Sequence, residues 1–216
     1  MSDCHLNTYY SNNKPDGVSR YNTIPKERVY GKILDIGCSD GIAQINSRHG
    51  EYFKSENYLG LEPASERAEH AIHMGLNVLL TTIDNYDMAQ KFDLIIMNEV
   101  IAHIDYEEWA ELFKKLKSLL NKGGTICITT IANEKFQDAG NVHRYHHHVV
   151  MDITDDMILE HLPSATIIKI PAWHAFKQKD ESFLWALGRW VKRIITRHPA
   201  VGLIFPARRE KMYLYR

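Results

Sequence analysis

The sequence predicts an α/β fold, with a single open sheet of seven mostly parallel strands and helices on both faces. Three observations predict it. Short apolar stretches alternate with helical patterns from residue 32 to residue 170. The stretch Phe92–Met97 is apolar at all but one position, as expected of a central strand that is covered on both faces. The 216 residues, 44% hydrophobic and 25% charged, suit one domain with a substantial core.

Each element is predicted from its local pattern. The predicted strands span Lys32–Ile36, Tyr58–Leu61, Asn77–Leu80, Phe92–Met97, Thr125–Ile131, Ala165–Ile170 and Met212–Tyr215. The predicted helices span Ile42–Lys54, Ser65–Met74 and Tyr106–Leu120, and a further helix begins at Thr154-Asp155-Asp156. In the third helix apolar residues recur at helical spacing, and Asn121 with Gly123-Gly124 ends it. The chain is therefore divided into an N-terminal segment (1–30), a core (31–170) and a C-terminal extension (171–216).

Charge is distributed unevenly along the chain. Residues 181–216 carry eight Lys and Arg residues and two acidic residues, whereas the rest carries 18 basic and 25 acidic residues. We therefore expect the core to repel nucleic acid and the C-terminal extension to favour an anionic surface. Cys4, Cys38 and Cys127 show no CxxC spacing, so neither a disulfide framework nor a cysteine zinc site is expected. The polar first twenty residues and the lack of a long apolar run lead us to expect a cytoplasmic protein.

The strongest functional signal lies at the predicted carboxyl ends of the first two strands, where sheets of this kind bind ligands. Asp35 lies at the end of the first strand, and Gly37 and Gly41 follow at a spacing that suits a sharp turn close to a ligand. Glu62 follows the second strand, where a carboxylate can accept hydrogen bonds from both hydroxyls of a ribose. Taken singly, the glycines also suit a plain tight turn and Glu62 suits a helix N-terminus.

In combination these residues resemble the class I S-adenosylmethionine-dependent methyltransferases, a family with a Rossmann-like fold. The segment Asp35–Gly41 (DIGCSDG) is similar to the first motif of that family, although Ser39 stands where glycine is commonest. Leu59–Glu62 resembles its ribose-binding strand end, and Lys91–Ile104 resembles its fourth-strand signature. Leu120–Thr125 resembles the turn into the fifth strand. The resemblance covers residues 21–170 and implies S-adenosylmethionine as the cofactor.

The resemblance also implies which residues bind the cofactor. Its amino-acid end lies against Asp35, whose carboxylate suits an ammonium group, and its ribose lies against Glu62. Adenine lies beside the residues after the third strand, the reactive end lies near Asn98, and a cation ahead of the first strand binds the methionine carboxylate. The full predicted set is Arg20, with Arg28 as its rival, and Asp35, Gly37, Cys38, Gly41, Glu62, Pro63, Thr82, Ile83 and Asn98.

A dinucleotide-binding site is the competing interpretation of the same turn. Its phosphate-binding pattern G-x-G-x-x-G needs glycine at Ser39 and at Ile42, and the chain has neither. The Asp35 carboxylate would also oppose a pyrophosphate. The spacing therefore favours the methyltransferase interpretation.

Methyl transfer by direct displacement depends mainly on alignment, and a nearby base assists when the acceptor is a hydroxyl. His103, five residues after Asn98, is the predicted base, and His146 is the second catalytic candidate. A packing or loop-ordering role is the alternative for His103.

Residues 141–148 (NVHRYHHH) and the N-terminal segment are predicted to surround the acceptor. His143 with Arg144 suits a phosphate or carboxylate, and Tyr145 suits stacking on a ring. A solvated loop and a metal site are the alternatives; adjacent histidines on an extended chain point to opposite sides, and no metal is predicted. Tyr9 and Tyr10 are predicted to belong to a lid over the cofactor and the acceptor; the alternative is a frayed N-terminus. The acceptor-binding candidates are Tyr9, Tyr10, His143, Arg144 and Tyr145.

The C-terminal extension contains a basic amphipathic helix, predicted at Ser182–Arg197, and the apolar hexamer Ala200–Phe205. With Trp185 and Trp190 at the interface, residues 182–209 are predicted to contact the inner face of a membrane peripherally. The alternative is a helix packed on the domain or on a second subunit of a homodimer.

The predicted function is S-adenosylmethionine-dependent methyl transfer to an oxygen of a small molecule, sugar or glycan, with no nucleic-acid partner. The alternative is a catalytically silent cofactor-binding subunit or a membrane-associated scaffold with the same fold. Turnover with candidate acceptors distinguishes the two, because a silent relative also binds the cofactor.

Overall fold

The computed structural model describes residues 20–87, 89–131, 149–150, 153–170 and 210–216. Several predictions lie outside these ranges. They concern Tyr9, Tyr10, His143, Arg144, Tyr145, His146 and the extension 182–209.

The described residues form a seven-stranded sheet. Its strands are β1 (Ile33–Ile36), β2 (Tyr58–Leu61), β3 (Val78–Leu79), β4 (Phe92–Asn98), β5 (Leu120–Ile131), β6 (Thr166–Lys169) and β7 (Glu210–Tyr215). The order across the sheet is β3-β2-β1-β4-β5-β7-β6, and β7 runs antiparallel to both of its neighbours. The other pairs are parallel. The predicted seven-stranded, mostly parallel sheet is therefore confirmed.

The helices are short. They are α1 (Ile42–Ile45), α2 (Gly50–Phe53), α3 (Ser65–His73), α4 (Trp109–Leu119) and α5 (Asp155–His161), with 3₁₀ turns at Arg20–Thr23, Lys26–Arg28, Ile101–His103 and Tyr106–Glu108. The helix predicted to begin at Thr154-Asp155-Asp156 is α5, and Thr154 caps it, because its Oγ1 accepts a hydrogen bond from the Met157 amide at 3.3 Å.

The single helix predicted at Ile42–Lys54 was wrong, since α1 and α2 are separate. Ser47 explains the break: its hydroxyl donates to the Gln44 carbonyl at 2.6 Å and accepts from the His49 amide at 3.2 Å. Such local side-chain bonds compete with the helical ladder. At Gly50 an added Cβ would lie 2.4 Å from the Ile45 carbonyl oxygen, so the chain folds back closely on α1.

The start of the fifth strand at Thr125 was also wrong. Leu120 already pairs with Phe92, and regular pairing resumes only at Thr125 opposite Leu94. The four intervening residues form an irregularity in which Gly123 has φ +82° and Asn121 Nδ2 donates to Asp93 Oδ1 at 2.8 Å. The glycines that the sequence suggested as a helix stop thus lie inside a kinked strand.

Both faces of the central strand β1 are buried. Leu34 belongs to an apolar cluster with Trp109 of α4, and Ile33 belongs to a second cluster with Phe53 of α2. Adjacent residues of β1 therefore support opposite layers, which explains why the strand is apolar on both sides. None of the helices in the described ranges is long and apolar enough to cross a bilayer.

The strand order reverses between β1 and β4, because the chain proceeds outward through β2 and β3 before it returns to β4 beside β1. The carboxyl ends of β1, β2 and β4 meet at this edge, where open α/β sheets bind their ligands. The predicted site residues from the core follow these strand ends.

Candidate functional site

The turn between β1 and α1 contains three residues with left-handed backbone: Gly37 at φ +69°, Ser39 at +57° and Gly41 at +79°. An added Cβ at Gly37 would lie 2.5 Å from Val100 Cγ2. At Gly41 it would lie 2.7 Å from Leu76 Cδ1. Both glycines are therefore required by conformation and by space.

Glu62 fastens this turn to the end of β2. It is 3% exposed, its Oε2 accepts the Ser39 amide at 2.8 Å, and its Oε1 accepts the Ala64 amide at 3.0 Å. Non-glycine residues seldom adopt the left-handed conformation of Ser39. The hydrogen bond from the Ser39 amide to Glu62 helps to stabilise this conformation. Each carboxylate oxygen can accept a second hydrogen bond, so Glu62 retains acceptor capacity for a diol.

Asp35 lies at the centre of a buried polar cluster. Its Oδ2 accepts hydrogen bonds from the hydroxyls of Tyr21 and Tyr58 and from Gln44 Nε2, each at 2.9 Å. Gln44 also lies 2.6 Å from the Cys38 carbonyl oxygen. By contrast, Asp35 Oδ1 is buried and has no hydrogen-bond partner among the residues that the structure describes.

The environment of Asp35 is unfavourable for charge. Burial raises the pKa of its carboxyl to about 6, whereas the hydrogen bonds from Gln44, Tyr21 and Tyr58 act to lower it, and the nearby Glu62 raises it further. A cation beside Oδ1 would stabilise the ionised form and lower this pKa.

The amides of Gly37 and Cys38 hold the turn against β2, since both donate to the Leu61 carbonyl, at 2.8 and 3.1 Å. These donors are therefore used within the protein. A contact between this turn and an ammonium group would use carbonyl oxygens instead, which have the polarity that a cation requires.

The end of β4 contributes a second group of polar residues. Asn98 Oδ1 accepts the Thr129 hydroxyl at 2.7 Å. Glu99 follows with φ +58°, a conformation that non-glycine residues seldom adopt, and its carboxylate lies 3.8 Å from Arg20 Nε. Arg20, predicted to bind the methionine carboxylate, thus lies at the expected edge but is paired with Glu99.

The remaining predicted site residues of the core differ in how deeply they are buried. Pro63 is exposed beside Glu62, and Thr82 is half-buried. Ile83 is 3% exposed and belongs to the apolar cluster of Trp109. His103 is exposed and ends the 3₁₀ turn after β4. The roles assigned to these four residues stay predictions.

Sequence reasoning missed four residues of this region: Tyr21, Gln44, Tyr58 and Glu99. Gln44 is buried although helical periodicity places polar side chains on the solvent face, so the pattern gave no signal for it. Glu99 lay within the fourth-strand signature without being selected. Nothing local in the sequence marks Tyr21 or Tyr58 as partners of Asp35.

The cluster fits the ammonium group and ribose of S-adenosylmethionine. Asp35 Oδ1 is a buried acceptor with no donor among the described residues, and such a group normally finds a partner. Glu62 offers further acceptor sites one strand away. The fold and this pair of acids are those expected of an α/β domain that binds a nucleoside.

Comparison with known proteins assigns the family. A family model described as a methyltransferase domain matches residues 8–170. The chain belongs to this family, the S-adenosylmethionine-dependent methyltransferases. Membership confirms the resemblance to this family, and with it the cofactor, that the sequence predicted.

Two curated relatives match part of the chain. Malonyl-[acyl-carrier protein] O-methyltransferase 1 of Ilyobacter polytropus is 31% identical over 107 residues, which are 48% of this chain and 39% of that protein. Ubiquinone biosynthesis O-methyltransferase of Serratia proteamaculans is 28% identical over 104 residues, 46% of this chain and 42% of that protein. The matches thus span about two fifths of the length of these relatives.

Solved structures of other methyltransferases share the fold. A SAM-dependent methyltransferase from Thermotoga maritima superposes with a TM-score of 0.61 at 16% identity and covers 98% of this chain and 95% of its own. The plantazolicin methyltransferase BpumL, solved in complex with SAH, gives a TM-score of 0.60 at 17% identity, with 98% and 89% covered. At these identities the likeness shows the fold.

Proposed function

We propose that the protein transfers the methyl group of S-adenosylmethionine to an oxygen atom of a small-molecule acceptor. The observation that carries the proposal is the pair of buried carboxylates, Asp35 and Glu62, on adjacent strands around one turn of left-handed backbone. These two groups suit the ammonium group and the ribose hydroxyls of the cofactor that the family uses.

The chain's own residues bind and orient. Asp35 accepts from the ammonium group, and Glu62 accepts from the ribose hydroxyls while its bond to the Ser39 amide keeps the turn in place. When bound, the cofactor supplies a methyl group on a sulfonium for direct displacement. Because such a reaction gains mainly from alignment, residues that fix the cofactor relative to the acceptor raise the rate.

The names of the relatives support oxygen as the methylated atom, since both are O-methyltransferases. His103 is exposed at the end of the 3₁₀ turn that follows β4, where an imidazole can take the proton from an acceptor hydroxyl at neutral pH. Carbohydrate hydroxyls have the same chemistry and form one class of acceptor within the proposal.

The test is the release of S-adenosylhomocysteine from S-adenosylmethionine with a panel of phenols, carboxylic acids, sugars and amines. The proposal expects turnover with at least one oxygen acceptor and a methyl ether or ester as product. Turnover with amines alone would overturn the choice of oxygen. Binding of the cofactor without turnover across the panel would favour the silent cofactor-binding subunit.

A further inference from the structure

We propose that Tyr58 and Gln44 are positioning residues of the cofactor site: with Tyr21 they saturate Oδ2 of Asp35 and so leave Oδ1 as the oxygen that accepts the cofactor's ammonium group. This inference rests on the proposed function. It assigns a role to two residues that touch Asp35 but need not touch the cofactor.

The asymmetry of the carboxylate carries the inference. Three donors at 2.9 Å converge on Oδ2, which exceeds the two hydrogen bonds that one carboxylate oxygen usually accepts. The other oxygen, Oδ1, is equally buried and lacks a donor within the described ranges. Leaving a buried anionic oxygen without a donor is costly, so the arrangement suits an oxygen reserved for a ligand.

The three donors come from three different elements. Tyr21 belongs to the 3₁₀ turn ahead of β1, Gln44 to α1 and Tyr58 to β2. The Tyr58 ring is fully buried and packs edge-on against Phe53, with ring centroids 5.5 Å apart. Its hydroxyl is thus held by the core rather than by solvent.

A missing side chain makes room for the Tyr58 hydroxyl. Gly60 is the β2 residue in register with Asp35. An added Cβ at Gly60 would lie 3.1 Å from the Tyr58 hydroxyl and 2.6 Å from Cys38 Sγ. The sequence Tyr58-Leu59-Gly60 therefore combines a long donor with the space that it needs to reach Asp35.

The amide orientation of Gln44 follows from its neighbours. Its Nε2 lies 2.9 Å from Asp35 Oδ2, 2.6 Å from the Cys38 carbonyl oxygen and 2.8 Å from the Tyr21 hydroxyl. The first two partners are acceptors only, and a flipped amide would place oxygen against oxygen at both, so the nitrogen belongs here. Gln44 thereby links the carboxylate to the glycine turn.

The titratable groups near Asp35 are Tyr21, Tyr58, Glu62 and the thiols of Cys38 and Cys127. Burial raises the pKa values of the two phenols and the two thiols, so these groups stay neutral near pH 7. The cofactor's ammonium group requires the ionised form of Asp35. Ligand affinity should therefore rise with pH and level off above about pH 6.

The test is calorimetric titration of S-adenosylhomocysteine, which carries the same ammonium group, from about pH 5 to about pH 8. In Tyr58→Phe one hydrogen bond to the ionised carboxylate is lost, so the pH at which affinity levels off should rise by about one unit. Gln44→Met should shift it in the same direction. Tyr86→Phe is the matched control, since Tyr86 is 2% exposed and its hydroxyl has no hydrogen-bond partner among the described residues.

An upward shift in both variants, with the control unchanged, supports the inference. A wild type that binds and turns over, with variants that follow the same pH curve, overturns the inference and leaves the proposed function standing. An affinity that does not change with pH in the wild type also overturns it. If the wild type binds no S-adenosylhomocysteine at any pH, both the inference and the proposed function fail.

Discussion

Asp35 shows how a residue can serve a site at the expense of the fold. Its carboxyl pKa is about 6 in the folded chain because burial disfavours the charge, against 3.8 for the ordinary group. Between these two pH values the folded state binds more protons than the unfolded state. The stability contributed by this group is therefore present below about pH 4 and is lost as pH rises toward 6.

The difference in Asp35 pKa between the folded and the unfolded chain predicts how the stability of the wild type changes with pH relative to an Asp35→Asn variant. The wild type should lose about 2 kcal/mol of unfolding free energy, relative to the variant, between about pH 4 and about pH 6. Urea denaturation of both proteins across this range measures it. Glu69→Gln, an exposed change on α3, serves as the control. A constant difference between wild type and Asp35→Asn would contradict the assigned environment of Asp35.

The predicted role of His103 is to accept the proton of the acceptor hydroxyl during methyl transfer. His103→Ala should lower the rate constant at saturating acceptor by about 10²–10⁴-fold, because the acceptor proton loses its base. Affinity for S-adenosylhomocysteine should stay within about twofold of the wild type, since His103 is not among the cofactor-binding residues. Steady-state kinetics measures the rate constant, and calorimetry measures the affinity for S-adenosylhomocysteine.

His73→Ala controls for the loss of an exposed imidazole elsewhere, at the end of α3. An unchanged rate constant in His103→Ala would assign His103 to loop ordering instead.

At the scale of elements, the turn between β1 and α1 determines where the site forms. Its glycines are fixed by positive φ and by close neighbours, and Ser39 is fixed by its bond to Glu62. The turn therefore connects β1, β2 and α1 through main-chain geometry. A substitution that expands it should disturb both the fold and the ligand.

Gly41→Ala tests this geometry against Gly75→Ala. Both positions have positive φ, at +79° and +90°, but a Cβ at Gly75 would meet nothing within 4 Å. The added methyl at Gly41 would meet Leu76 and the backbone of Ala71 at 3.2 Å. Gly41→Ala should therefore lose about 1–2 kcal/mol more unfolding free energy than Gly75→Ala. Equal losses of unfolding free energy in urea denaturation would show that the turn accommodates a methyl group at Gly41 without strain.

The elements also show what local sequence can predict. Asp35, Gly37, Gly41 and Glu62 were predictable because a strand, a turn and the next strand end are local patterns. The donors to Asp35 were not, since they lie 14, 9 and 23 residues away and meet only when four elements pack. The break between α1 and α2 was missed for a related reason, because Ser47 forms side-chain bonds that periodicity does not reveal.

At the scale of the whole molecule, seven strands and their mostly parallel course followed from the alternating pattern, but their order did not. The insertion of β7 between β5 and β6 joins residues far apart in the chain. The pairing of Arg20 with Glu99 likewise connects the segment before β1 to the end of β4. Such contacts depend on topology, which periodicity leaves open.

The charge asymmetry supports a further proposal at this scale, peripheral contact of residues 182–209 with an anionic membrane. These residues lie outside the described ranges, so the proposal rests on sequence. Replacing Arg189, Lys192 and Arg193 by Glu should weaken sedimentation with anionic liposomes at low salt, since each cation contributes about 1 kcal/mol.

The control replaces Lys54, Lys114 and Lys122, three exposed lysines of the core, by Glu and so changes net charge equally. Negligible liposome binding by the wild type, or equal loss in both triple variants, would contradict membrane contact through the extension. A melting temperature lowered by Trp190→Ala would then favour a helix packed on protein.

The cofactor site itself is best tested by calorimetric titration of S-adenosylhomocysteine into the wild type, Asp35→Ala and Glu62→Ala at about pH 7.5, with Glu69→Ala as the control. Each site variant loses a charged hydrogen-bond acceptor worth about 1.5–3 kcal/mol, so each should bind about 10-fold to 100-fold more weakly while the control binds as the wild type does. Wild-type affinity in both Asp35→Ala and Glu62→Ala would contradict the placement of the cofactor at the ends of β1 and β2.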